Sequence, residues 1–229
     1  MLKQKYLLLT LSFFYLSLQA ETIDEIIVNG DWRESSLSQT GTSLILITDE
    51  QIEKKQYKHF EEIAYSVPNL NFAASDSRPR YFQIRGIGER SGYEGTPNSS
   101  VGFLIDDIDF SGQGGIASTY DIDQIEVYRG PQGSRMGANA LAGMVYIKTK
   151  DPGDLFELKG GIILGDFGRK DIRALINIPI NDDIQSRLTL NKEDFDGFRK
   201  NLFLERSDTS RKDEQSLRFK TKWSFTDNA

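Results

Sequence analysis

The rhythm of polar and apolar positions changes once along this chain, near Pro152. Beyond it, Ile172, Ala174, Ile176, Ile178 and Ile180 share one parity, and Asp171, Arg173 and Asn177 share the other. Ile184, Leu188 and Leu190 then stand against Gln185, Arg187 and Asn191, and Leu217, Phe219, Thr221, Trp223 and Phe225 against Arg218, Lys220 and Lys222. Successive side chains of a strand point to opposite faces, so each segment predicts a strand with one apolar and one polar side. Glu157 to Leu164 is a weaker first member. Asn181-Asp182-Asp183 reads as a tight turn, and Phe195 to Gln215 as a long, charged connection. Short turns at one end and long loops at the other fit a membrane barrel. A soluble antiparallel sheet with one buried face alternates in the same way, and periodicity does not say whether lipid or protein covers the apolar side.

Before Pro152 the grammar is that of a small α/β domain. Asp24 to Val28 (DEIIV) is strand-prone, Gly30 to Gln39 turns polar, and Ser43 to Ile47 suits a buried strand. Thr48 with Gln51 three residues on has capping-box spacing. Two short helices follow, over Asp49 to Gln56 and His59 to Ser66, and Pro68 stops the second. Tyr81 to Arg85, Val101 to Asp106, Ile125 to Tyr128 and Met144 to Lys150 read as strands, separated by long Gly- and Ser-rich loops. Loops of that length are usually functional or mobile.

The first twenty residues have another purpose. Lys3 and Lys5 precede an apolar stretch, Tyr6 to Leu18, and Leu18-Gln19-Ala20 offers a small residue for cleavage. This is the pattern of a secretory signal peptide, so the mature chain is expected outside the cytoplasm.

Composition closes off several classes. Among 229 residues there is no Cys, which removes disulfides, thiolate catalysis and Cys-based metal sites. The single His, His59, leaves no base for a Ser-His-Asp arrangement. Asp106 and Asp107 are adjacent and point apart in a strand, so they make no acid pair. No enzyme, cofactor or metal site is expected, and Asp106, Asp107 and Asp109 read as a turn. A formal net charge of −6 with no basic stripe argues against nucleic acid as a partner.

The run Ile122 to Lys150, IDQIEVYRGPQGSRMGANALAGMVYIKTK, carries a specific likeness. Glu126, then Arg129-Gly130-Pro131-Gln132-Gly133, Gly137, Asn139-Ala140 and Gly143, closely resembles the end of the plug domain of TonB-dependent outer-membrane receptors. Arg135-Met136 stands where that family often has an aromatic before the Gly, and Ala142-Gly143 replaces a Gly pair. Phe82 to Gly88 (FQIRGIG) is similar to the plug's Ile-Arg-Gly motif, and Val101 to Ile108 (VGFLIDDI) to the strand and turn after it. Asp24 to Gly30 is similar to a TonB box, and Asp196 to Asn201 to an outer loop. The likeness covers nearly the whole chain after residue 20.

The resemblance implies an α+β plug domain, with a small mixed sheet, short helices and long loops, followed by the first ~4 antiparallel strands of an incomplete transmembrane β-barrel. The expected divisions are 1–20 signal peptide, 21–41 TonB box and tether, 42–152 plug and 153–229 barrel strands. Plugged outer-membrane transporters have about 22 strands, so the chain reads as the N-terminal portion of a longer receptor. The implied function is energy-coupled uptake of a scarce ligand across a bacterial outer membrane, with an iron–siderophore complex as the family's common case. The implied partners are the periplasmic domain of TonB with its inner-membrane energising complex, outer-membrane lipid, and a small ligand such as a metal chelate. Asp24, Glu25, Ile26, Ile27 and Val28 would add to TonB as an edge strand; they could instead be the plug's own first strand. Arg85, Glu126 and Arg129 would lock plug to barrel, or else satisfy partners within the plug. Arg90, Tyr93 and Glu94 would touch ligand, or stand as solvated loop residues. A stand-alone periplasmic binding or signalling module and a non-functional truncated gene product are the alternative readings.

Overall fold

The computed structural model describes residues 27–28, 35–74, 78–91, 98–137 and 139–225. The proposed leader and the box residues Asp24, Glu25 and Ile26 lie outside the described residues, as do Tyr93 and Glu94.

In the N-terminal half, β1 (Ile27–Val28) pairs with β2 (Ser35–Ser36), and β3 (Leu44–Thr48) leads into helix α1 (Asp49–Lys55). Thr48 caps α1 by accepting from the Gln51 N–H, Asp49 and Glu50 sit in its first turn, and Gln56 closes it in the left-handed region. Charge and cap therefore favour the same short helix. His59 is expected within the second helix, and instead it precedes that helix: its buried ring accepts from the Glu61 N–H at 3.1 Å at the start of α2 (Phe60–Ala64). Ser35–Ser36 and the 3-10 turn 37–39 add structure to a span that reads as tether.

A hairpin of β4 (Leu70–Ala73) and β5 (Tyr81–Ile84) follows. Then come β6 (Val101–Ile105), β7 (Ile108–Asp109), β8 (Ile122–Arg129), the short helix α3 (Gly133–Met136) and β9 (Gly143–Thr149). They build a five-stranded sheet in the order β3-β8-β9-β6-β7, in which only β6 and β9 run parallel. Asp106 and Asp107 make the β6–β7 turn, both with positive φ, as a type I′ hairpin requires. Gly143 is needed for close approach: φ is +157°, and a Cβ there would overlap the carbonyl oxygen of Tyr128.

The core lies on one face of this sheet. Ile47, Ile52, Ile63, Ile125, Val127, Val145 and Ile147 pack there with Phe60, Phe82 and Phe103, whose ring centroids are 5.2–5.5 Å apart. The opposite face carries a smaller cluster of Val28, Leu104, Tyr128, Ala140, Met144 and Tyr146.

The C-terminal part is an antiparallel meander of β10 (Glu157–Leu164), β11 (Lys170–Pro179), β12 (Ile184–Phe195) and β13 (Lys212–Trp223), paired in sequence order. Its outer face exposes Leu158, Ile162, Ile172, Ile178, Leu188, Leu190, Leu217, Phe219 and Trp223. Its inner face buries Asp171, Asn177, Gln185, Arg187, Thr189 and Glu193 against the plug. An apolar exterior around a polar interior is the arrangement of a membrane barrel wall, and the inverse of a soluble sheet packed on a core. No helix among the described residues is long and apolar enough to cross a membrane, which leaves strand crossing open.

Candidate functional site: the plug–wall joint and the N-terminal strand

Three arginines from three successive wall strands converge on Tyr120 and Asp121, the turn that feeds β8. Arg187 of β12 grips the Asp121 carboxylate with two nitrogens, at 2.6 and 2.9 Å, and reaches Glu157 at 3.0 Å. Arg218 of β13 donates to the carbonyls of Tyr120 and Asp121 at 3.1 and 2.8 Å, and to the Asp121 side chain at 3.2 Å. Arg173 of β11 lies over the Tyr120 ring, 5.5 Å from its centroid. The Asp121 side chain is 3% exposed. Paired arginine–carboxylate bonds of this kind fix geometry as well as add energy.

The same flank is tied elsewhere. Lys58 Nζ meets Asp171 at 3.3 Å. Arg78 donates to Glu214 at 2.7 and 2.5 Å and to Glu61 at 2.9 Å. Lys220 reaches Asp106 at 3.3 Å and Asp151 at 2.6 Å. Asn177, buried on β11, accepts from the Gly153 N–H at 3.0 Å and donates to the carbonyls of Gly153 and Leu155 at 2.8 and 2.7 Å. It clasps the linker between plug and wall. Burial, with the charge of Arg173, pushes the Lys58 amine down despite Asp171. Burial also works against Arg78, yet Glu214 and Glu61 hold it above the usual arginine value.

The residues expected to form a lock are placed differently. Arg85 is exposed in the turn after β5, with φ 54° and its N–H bonded to the Asn69 carbonyl. Glu126 is fully buried, where Gln124 and the Tyr128 hydroxyl each donate to it at 2.6 Å. Arg129 pairs its backbone N–H with Ser43, and its buried Nε has no hydrogen-bond partner among the described residues. Glu126 and Arg129 stand three apart on one strand and so face opposite sides of the sheet. Among the described residues, plug and wall meet through Asp121, Arg78, Lys58 and Asp106 with wall residues Arg187, Arg218, Glu214, Asp171 and Lys220. The sequence marks Arg187, Arg218 and Lys220 as members of a polar strand face, a signal that gives no partners.

Of the segment read as a TonB box, the described part is docked on the plug. Val28 is fully buried beside Tyr128 and Met144, and Gln124 donates to the Ile27 carbonyl at 2.8 Å. Arg90 is exposed. Its neighbour Glu89 is buried and accepts from the Ser100 backbone and hydroxyl at 2.9 and 2.7 Å.

A compact mixed sheet held by charge against the polar face of an outward-apolar wall defines a plug inside the start of a barrel. Residues 36–144 match the family described as TonB-dependent Receptor Plug Domain. The chain is 27% identical over 138 residues to the vitamin B12 transporter BtuB of Vibrio vulnificus, covering 57% of this chain and 21% of that protein. It is 29% identical over 164 residues to the ferric enterobactin receptor PirA of Pseudomonas aeruginosa, covering 59% and 22%. The fold matches the ferric yersiniabactin uptake receptor FyuA of Yersinia pestis with a TM-score of 0.70 at 19% identity, over 83% of this chain and 30% of that one. The chain thus spans between about a fifth and a third of the length of these relatives. Residues 36–144 thus form a plug domain of the TonB-dependent receptor type.

Proposed function

We propose that the chain is the N-terminal portion of an outer-membrane receptor that takes up a scarce ligand, with an iron–siderophore complex as the first candidate, using energy delivered by TonB. The observation that carries this reading is the joint: a plug fastened by buried ion pairs to the polar side of strands whose other side is apolar and exposed. Such strands suit a lipid-facing wall. The named relatives handle vitamin B12 and ferric enterobactin, which makes cobalamin the alternative cargo.

In this reading residues 1–20 export the chain, and the segment Asp24 to Val28 pairs with the periplasmic domain of TonB as an added strand. TonB must first compete with the docking of Ile27 and Val28 on the plug. Arg85, Glu126 and Arg129 remain candidates for locking the plug to wall strands beyond β13, and Arg90, Tyr93 and Glu94 for ligand contact at the apical loop. The test is uptake of iron-loaded enterobactin and of cobalamin by cells carrying the full-length receptor, with and without TonB. Uptake of either that vanishes without TonB is expected. Uptake that is indifferent to TonB, or none of a broad siderophore panel, would overturn the reading.

A further inference from the structure

We propose that the Tyr120–Asp121 turn is the plug's fixed point on the wall, and that this flank stays fastened while the rest of the plug shifts to admit a ligand. The proposal rests on the uptake reading and adds to it which side of the plug stays still. Ligand then passes on the side of the plug that faces away from β11, β12 and β13.

The clamp gathers more polar bonds on two plug residues than anywhere else along this flank. Arg187 and Arg218 make five hydrogen bonds to Tyr120 and Asp121, and Arg173 covers the ring. A buried ion pair adds little net stability, yet separating its members is costly because each is left uncompensated. Such a contact suits a joint that must hold position and not open in each cycle.

Two further observations extend the fixed region. Within the plug, Thr119 donates from its N–H to the Lys58 carbonyl at 3.1 Å and from its hydroxyl to the Tyr57 carbonyl at 2.6 Å. The clamp is thereby coupled to Lys58, itself paired with Asp171. On the covalent side, Asn177 clasps the linker 153–155, and Lys220 joins Asp106 on one sheet turn to Asp151 at the end of the plug. The N-terminal strand is short: among the described residues β1 pairs with β2 over two residues and meets the plug through buried Val28 and the Gln124 bond to the Ile27 carbonyl. Elements with few buried contacts open at lower free energy than well-tied ones.

The test uses the full-length receptor with Asp121→Cys and Arg187→Cys; the 229 residues contain no other cysteine. Unbridged, the double variant should leak vancomycin across the outer membrane about tenfold faster than wild type, because the two-nitrogen contact that fixes the turn against the wall is gone. Bridging the two thiols with a short bifunctional reagent should bring leak and TonB-dependent uptake to within about twofold of wild type, since the covalent link replaces the clamp. Uptake abolished by bridging while ligand binding persists would overturn the proposal, since the flank would then have to part. No added leak before bridging would also overturn it. Should that variant fail to assemble, Lys58→Cys with Asp171→Cys gives a second bridge on the same flank, with continued uptake expected and loss of uptake contradicting. If the wild-type receptor takes up no ligand, the uptake reading fails, and the leak measurements still decide whether the turn is an anchor.

Discussion

The side-chain amide of Gln124 donates to the carbonyl of Ile27 at 2.8 Å and ties the N-terminal strand to the second face of the plug sheet. The same nitrogen donates to Glu126 at 2.6 Å. One side chain thus couples the docking of β1 to the solvation of a fully buried carboxylate. Release of the strand breaks a bond to the side chain that also holds Glu126, so the docked and released states differ in more than a valine contact.

Gln124→Ala should shift that balance. The docked strand loses about 1 kcal/mol of hydrogen bonding. The affinity of the full-length receptor for the periplasmic domain of TonB should rise by about fivefold, because less docking must be undone. Calorimetric titration of the two proteins checks this, and an unchanged or weaker affinity would count against a sequestered TonB segment. The plug itself should lose about 1–3 kcal/mol of stability, since Glu126 is left short of a donor in a buried site.

Ile27→Pro should act in the other direction. Proline removes the backbone donor that strand addition needs. Binding to TonB should weaken by at least about tenfold while ligand binding at the cell surface stays as it was. Retained TonB binding would mean that pairing runs through other residues.

Gly143→Ala should destabilise the plug by more than about 2 kcal/mol, because the new methyl meets the Tyr128 carbonyl at a φ that strains any L residue. Gly133→Ala, which meets nothing within 4 Å and has no positive φ, is the matched control and should be near neutral. Denaturant midpoints of the two variants measure the difference.

The linker carboxylate Asp151 gives a pH signature. Burial works to raise it, but the hydrogen bond from Lys220 holds it below the ordinary value of 3.8. A depressed folded value means the contribution is complete above the unfolded value and is lost as pH falls through the folded one. Wild type should therefore lose stability below about pH 4 more steeply than Asp151→Asn. The variant should already be the weaker of the two at pH 7. Parallel melting curves from pH 7 to pH 3 decide it, and identical slopes at low pH would remove Asp151 from the joint.

Much of the fold is legible in local patterns. The Thr48 cap, the glycine at 143 and the alternation from 172 to 180 each mark an element whose cause lies within a few residues. Boundaries slip where a local signal fades. β12 continues to Phe195 and β13 begins at Lys212, beyond the alternation the sequence displays, because Lys192, Asp194, Asp213 and Gln215 make both faces polar there. Apolar patterning ends with the exposed apolar band, whereas hydrogen-bonded pairing does not.

The joint is not legible for a different reason. Arg187 and Asp121 are 66 positions apart, and Arg78 and Glu214 are 136 apart. Nothing local in the sequence distinguishes Asp121 from the many other carboxylates of the chain. Its partners are fixed by the register of β12 on β13 and by where the linker 153–155 sets the plug down. Likewise, DEIIV reads equally well as a free strand or a docked one, since the choice depends on Gln124, 97 positions from Ile27.

The most direct measurement concerns the wall. In the full-length receptor reconstituted in lipid, single cysteines at Leu190 and Phe219, on the apolar face, and at Thr189, on the plug-facing side, would carry an environment-sensitive fluorophore. Quenchers confined to the lipid chains should strongly dim the labels at 190 and 219 and leave the label at 189 bright. Equal quenching at all three, or quenching only at 189, would contradict a lipid-facing wall enclosing the plug.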